Sequence, residues 1–197
     1  MSAERKSPPG SAGIVGRARA ALFGVAVGDA LGATTEFMTP AQIRTRYGVL
    51  REIVGGGWLK LSPGQVTDDT EMTLCVARGI VRSKGWDLGT IADLFARWLS
   101  GDPADVGATC RRGIEEYMEK GRLEAPPDEK GAGNGAVMRV APVALYTLGD
   151  EKLLSRLAVG QAHITHHHPL SDAACKIATD MMIGAEYHAL PRRYALG

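Results

Sequence analysis

The chain has 197 residues, 45% of them hydrophobic, which suffices for one domain with a sizeable core and is too short for two. Its 23 basic and 22 acidic side chains nearly cancel, excluding a nucleic-acid binder held by bulk positive charge and an acidic disordered tail. Cys75, Cys110 and Cys175 are odd in number and lack CxxC spacing, so no disulfide framework is implied and reduced thiols in a cytoplasmic protein are expected.

Residues 1–13, with Ser7-Pro8-Pro9-Gly10, read as a flexible leader ahead of a single domain over 14–197. Arg17, Arg19 and the run 20–28 imitate the basic and apolar parts of a signal peptide, but Asp29 interrupts the run. The spacing of Phe23, Val27 and Leu31 continues past that charge, as in an ordinary first helix. Gly24, Gly28 and Gly32 recur every fourth residue and leave a smooth strip for close approach of a helix or a ligand. Strand signals are confined to 50–54 and 58–61, on either side of Gly55-Gly56-Gly57, which reads as a flexible link.

Val66-Thr67-Asp68-Asp69-Thr70-Glu71 sets two adjacent carboxylates at the start of the next helix. Met72, Cys75, Val76, Gly79 and Ile80 follow at helical spacing, and stepping back by three and four from Met72 reaches Asp69 and Asp68. Both carboxylates therefore open a buried face, where charge is costly unless paired or bound to a cation, and oxygen donors suit magnesium or manganese. The same residues also fit a capping box, with Asp68 three positions before Glu71.

Ile91, Leu94, Phe95, Trp98 and Leu99 predict a further amphipathic helix, ended by Ser100-Gly101-Asp102-Pro103. Asp105 or Thr109 is expected to open the next one, which contains Ile114, Tyr117 and Met118. After a linker at 124–130, Val137, Val140, Ala141, Ala144, Leu145 and Leu148 keep helical period, and Pro142 kinks that helix or marks its first turn. Helices over about 150–165 and 171–190 complete the reading. No stretch approaches the roughly 20 apolar residues that a membrane span needs.

Gly131-Ala132-Gly133-Asn134-Gly135 leaves backbone N–H groups free for an anion such as phosphate, or is an ordinary loop; it lacks the Lys-Ser/Thr pair of a Walker loop. His163, His166, His167 and His168 crowd six positions. His163 shares a helical face with His166 and His167 and so suits a transition metal; a solvated helix end is the other reading, favoured for His167 and His168. Glu36 and Asp105, taken singly, read as capping or surface carboxylates.

Together these segments resemble one family. The order Gly28-Asp29-Ala30-Leu31-Gly32-Ala33, Glu36-Phe37, Gly55-Gly56-Gly57-Trp58, Val66-Thr67-Asp68-Asp69-Thr70, Asp105-Val106-Gly107, Cys110-Arg111-Arg112-Gly113, residues 131–138 and His163-Ile164-Thr165-His166 is similar to the ADP-ribosylglycohydrolases, above all their nitrogenase-linked branch. The resemblance runs from about Arg17 to Leu190. It implies an all-α, multi-helix orthogonal bundle, here the N-terminal two-thirds of it. The implied activity is metal-dependent hydrolysis of the N-glycosidic bond between ADP-ribose and a protein arginine, on the branch's substrate, the ADP-ribosylated nitrogenase iron protein. Two Mg2+ or Mn2+ ions are implied, with Thr67, Asp68 and Asp69 as ligands. Gly133, Asn134, Gly135, Met138 and His166 match residues along ADP-ribose, and Asp105 and Glu36 match acidic residues that act at the ribose. Trp58 is expected to contact the protein substrate. The branch also implies a PII-type regulator and, through it, a peripheral place at the membrane.

Two departures accompany the match. The family's second metal motif, Asp-x-Asp-Thr before a glycine, has no counterpart after Asp150, and Ala108 stands where members of the branch can carry aspartate. The alternative function is therefore an ADP-ribose-binding or regulatory protein without turnover. A third reading, a histidine metal-storage helix, implies zinc or nickel binding independent of Asp68 and Asp69.

Overall fold

The computed structural model describes residues 13–148 and 150–186. The proposed leader up to residue 12 and the expected end of the last helix near Leu190 lie outside the described residues. The fold is all-α. Its helices are α1 (Ile14–Gly32), α2 (Pro40–Tyr47), α3 (Asp68–Ser83), α4 (Leu88–Ser100), α5 (Ala108–Lys120), α6 (Ala141–Tyr146), α7 (Glu151–His163) and α8 (Pro169–Glu186), with a 3₁₀ turn at Asn134–Arg139 before α6. Among the described residues no strand forms; the alternation at 50–61 yields only the antiparallel bridge between Gly56 and Leu61. Nor is any helix of the described residues long and apolar enough to cross a membrane.

The apolar stripes explain the packing. Met72, Cys75, Val76 and Gly79 of α3 are buried and Ile80 is half-buried, as their spacing predicts; Ile91, Leu94, Phe95 and Leu99 face them from α4. A Cβ on Gly79 would meet Ile91 Cγ1 at 2.5 Å, so the two helices cross where only glycine fits. Pro142 lies in the first turn of α6, which splits the expected long helix into the 3₁₀ turn and α6. Asp150 caps α7, its side chain accepting from the Leu153 N–H.

α1 forms as the spacing of Phe23, Val27 and Leu31 predicts, with its inward stripe one position away from Phe23 and Val27. Leu22, Val25, Ala26, Asp29 and Ala30 are wholly or partly buried, while Phe23 is 69% and Val27 52% exposed. Asp29 therefore does not interrupt the apolar face but belongs to it. Among the described residues nothing lies within 4 Å of a Cβ built on Gly24, Gly28 or Gly32.

Arg139 is the largest fully buried side chain among the described residues. Its Nε donates to Gln161 Oε1 (2.7 Å), and Nη2 donates to the Gln161 carbonyl (2.9 Å) and to Thr165 Oγ1 (2.8 Å). The guanidinium lies 4.5 Å from the centre of the Phe95 ring. Neutral acceptors and one aromatic face thus tie the 3₁₀ turn to α7 and α4.

Candidate active site

The first turn of α3 positions the acidic pair. Thr67 is its N-cap residue but makes no side-chain cap bond of its own. The cap comes from α1, 38 residues earlier in the chain. Asp29 Oδ2 accepts from the backbone N–H groups of Thr67 (2.9 Å) and Thr70 (3.2 Å), and from the Thr70 hydroxyl (2.5 Å), while Oδ1 accepts from the Thr67 hydroxyl (2.8 Å). Glu71, the expected partner in a capping box, instead accepts from Trp98 Nε1 at 2.6 Å. The capping-box reading is thereby replaced: a carboxylate from another helix satisfies the orphan donors, and Asp68 and Asp69 stay available to the cleft.

Asp68 and Asp69 open onto a cleft of about 420 Å³ that they line with Glu36, Trp58, Asp105, Gly133, Asn134, Gly135, Met138 and His166. Ten residues singled out from the sequence thus converge in one cavity. The eleventh, Thr67, lines the adjoining depression with Asp29, Gly28 and Gly32, a depression that shares Glu36, Asp69, Asp105 and Asn134 with the cleft. Asp105 does not cap α5, whose N-cap is Gly107, and Thr109 lies inside the first turn. The segment before α5 is extended at Gly107, leaving Asp105 half-buried and free to line the cleft.

The electrostatics are those of crowded carboxylates. Burial, then the charges of Asp105 and Asp69, push Asp68 up to about 7, against an opposing hydrogen bond from the Gly107 backbone. Burial and the charges of Asp29 and Glu36 raise Asp69 as well. Among the described residues no lysine or arginine lines the cleft or the depression. An oxygen-only donor set with surplus negative charge fits a hard divalent cation. Thr67 completes it, because its hydroxyl proton goes to Asp29 and its lone pairs remain free.

The glycine-rich segment forms the facing wall through close packing. A Cβ on Gly135 would meet Cys110 Sγ at 2.6 Å and His166 Cε1 at 2.9 Å, and one on Gly133 would meet His166 Nε2 at 3.0 Å. His166 is buried, and its Nδ1 lies 2.8 Å from Thr165 Oγ1, which also accepts from Arg139. Burial and the Arg139 charge push its pKa down to about 4, so the ring is neutral at pH 7.

At the mouth, Trp58 Nε1 donates to Glu36 Oε2 at 2.7 Å, and the Trp58 ring meets Phe37 edge-on with centroids 5.5 Å apart. The preceding glycines are not a flexible link. All three have positive φ, Gly56 and Leu61 exchange backbone hydrogen bonds, and a Cβ on Gly57 would meet the Ala33 carbonyl oxygen at 2.3 Å. The loop is seated against the end of α1, which carries Trp58 to Glu36.

The sequence pattern alone assigns no site role to Asp29, Phe37, Cys110 or Arg139. Asp29 carried a signal, since a charge among the apolar residues of a helix needs a partner when that helix packs. Arg139 carried none, because its acceptors are neutral groups up to 26 residues away.

The family model described as ADP-ribosylglycohydrolase matches residues 11–193. The chain is 55% identical over 159 residues to ADP-ribosyl-[dinitrogen reductase] glycohydrolase of Rhodospirillum rubrum, covering 81% of this chain and 54% of that protein. It is 32% identical over 168 residues to ADP-ribosylarginine hydrolase Tri1 of Serratia proteamaculans, covering 81% of this chain and 44% of that one. A solved structure titled ADP-ribosylglycohydrolase-related protein complex superposes with a TM-score of 0.74 at 33% identity, over 90% of this chain and 58% of its own. The chain spans about half the length of the curated relatives it matches.

Proposed function

The chain belongs to the ADP-ribosylglycohydrolase family, and we propose that its cleft hydrolyses the N-glycosidic bond between ADP-ribose and a protein arginine, that of ADP-ribosylated dinitrogenase reductase. One observation carries the reading: Glu36, Asp68, Asp69, Asp105, the glycine-rich wall and His166 converge on a single cavity from five separate stretches of chain.

The residues divide the work. Gly133, Asn134, Gly135 and Met138 give ADP-ribose a wall that is bare of side chains at both glycines. His166, neutral at pH 7, offers that wall a hydrogen bond without adding charge. Thr67, Asp68 and Asp69 would hold one or two Mg2+ or Mn2+ ions, whose chemistry when bound is to orient the ribose hydroxyls and lower the pKa of a water. Glu36 and Asp105 move protons between the water and the departing guanidinium nitrogen. Trp58 fixes Glu36 through its indole N–H and, half exposed beside Phe37, meets the protein around the modified arginine.

A second reading, ADP-ribose binding without turnover, is favoured by one feature of the donor set. Among the described residues, Glu36, Asp68, Asp69 and Asp105 are the carboxylates of the cleft, and none of those after Asp105 adds another. Incubation of ADP-ribosyl-arginine with the protein and manganese separates the readings. Release of free ADP-ribose, lost in Asp68→Asn, is the expected result. Tight binding of ADP-ribose with no release would replace hydrolysis by the second reading.

A further inference from the structure

Outside the cleft, the end of α7 carries a second cluster of donor atoms. His163 and His167 stack with ring centres 3.9 Å apart, and Glu124, from the segment between α5 and the 3₁₀ turn, faces both. Glu124 Oε1 lies 3.1 Å from His163 Nδ1 and 3.6 Å from His167 Nε2, and one donor atom from each residue lies within 4.8 Å of the others. Zinc bonds of about 2.0–2.1 Å to nitrogen and oxygen, in tetrahedral geometry, place neighbouring donor atoms about 3.3 Å apart.

The remaining ring nitrogens also have acceptors behind them. His163 Nε2 lies 3.0 Å from Asp172 Oδ1, and His167 Nδ1 lies 2.7 Å from the Ala125 carbonyl oxygen. Both partners are pure acceptors, so the tautomers that serve them carry the protons on those nitrogens. In the neutral rings the lone pairs of His163 Nδ1 and His167 Nε2 then face the Glu124 carboxylate. Three acceptors then face one point, an arrangement that a bound cation satisfies. Protonating both rings would stack two positive charges 3.9 Å apart. A carboxylate or backbone carbonyl behind each imidazole is also how proteins orient histidines that ligate metals.

We propose that Glu124, His163 and His167 form a binding site for a borderline-soft divalent ion of the zinc class, with water as the fourth ligand. The site is separate from the acidic cleft, and its donor set of two nitrogens and one oxygen selects against magnesium. It clasps the segment that leads into the glycine-rich wall. That segment is already laid along the end of α7 by hydrogen bonds from Ala125 N–H to the His163 carbonyl (2.8 Å) and from Asp128 N–H to the His167 carbonyl (3.2 Å). Its far end is held where Ser171 Oγ donates to the Gly133 carbonyl at 3.2 Å. Bound metal therefore braces the wall against which His166 packs, and the inference holds whether or not the cleft is catalytic.

The test uses untagged protein carrying Asp68→Asn and Asp69→Asn, so that the cleft does not contribute, titrated with Zn2+ alone by calorimetry and with Co2+ by visible absorption. The expected result is one equivalent of bound zinc and the intense bands of four-coordinate cobalt. Binding should weaken at least ~10-fold in Glu124→Gln and in His167→Gln, and about 10-fold in Asp172→Asn, which leaves the three ligands in place. Glu124 is exposed, so its variant keeps the fold, and circular dichroism verifies this for each protein. Absence of zinc binding, or binding indifferent to Glu124 and His167, overturns the proposal and leaves only protons between the three acceptors.

Discussion

Replacing Asp29 by alanine isolates the contact that sets the acidic pair in place. Four hydrogen bonds end on its carboxylate, two from backbone N–H groups in the first turn of α3 and two from the hydroxyls of Thr67 and Thr70, both buried. Loss of a helix cap costs about 1 kcal/mol. Stranding buried hydroxyls costs on the order of 1–3 kcal/mol more. Relief of the repulsion that Asp29 exerts on Asp69 returns part of this, leaving a net loss of roughly 2–3 kcal/mol. For a chain of this size that corresponds to a fall in Tm of about 4–12 °C. Asp29→Asn keeps an acceptor oxygen for one hydroxyl and N–H pair and should lose about half as much. Thermal unfolding followed by circular dichroism, with manganese absent, measures both variants against the parent. A fall under about 2 °C for Asp29→Ala, or equal losses for alanine and asparagine, would refute the cross-helix cap.

Three further outcomes follow from the site. Trp58→Phe removes the indole donor to Glu36 while keeping the ring against Phe37, so turnover should fall roughly fivefold on free ADP-ribosyl-arginine and on modified protein alike, about 1 kcal/mol for an exposed bond to a charged group; steady-state kinetics on both substrates check it, and unchanged rates on the small substrate would show that Trp58 acts on the protein alone. Gly135→Ala forces a methyl group toward Cys110 Sγ and His166, and should weaken ADP-ribose binding at least ~10-fold and cost about 1–3 kcal/mol in urea unfolding. His166 titrates near 6.5 unfolded and at about 4 folded, so the unfolded chain takes up the proton first as pH falls. Its contribution is fully present above pH 6.5 and is lost on acidification toward pH 4, on the order of 2 kcal/mol by pH 5. Urea unfolding at pH 7.5 and 5 should show that loss in the parent relative to His166→Gln.

The sequence made local features legible and hid the contacts that join them. α4 reads directly from Ile91, Leu94, Phe95 and Leu99 because one helix face buries all four. Asp68 and Asp69 are placed correctly by stepping back from Met72, since the helical period continues through the first turn. The helix α1 is legible from Phe23, Val27 and Leu31, but its buried side is not, because packing against α3 and α6 selects the smaller residues next to them. At 50–61 alternation suggested strands, but Gly55, Gly56 and Gly57 all adopt positive φ and wind the chain into a tight loop. The metal-type cluster at Glu124 was half legible. His163 and His167 stand four apart in the sequence, but α7 ends at His163 and the link to α8 brings His167 back against it, while Glu124 reaches them from 39 residues away in the chain.

Titration of the protein with ADP-ribose, in the presence and absence of manganese, tests most directly whether the acidic pair and the glycine-rich wall form one cation-dependent site. Manganese should tighten ADP-ribose binding at least ~10-fold, the size of an ordinary coupling between two ligands, and the Asp68→Asn, Asp69→Asn protein should lose that gain. Equal affinity with and without manganese, or a gain that survives in the double variant, would contradict the account.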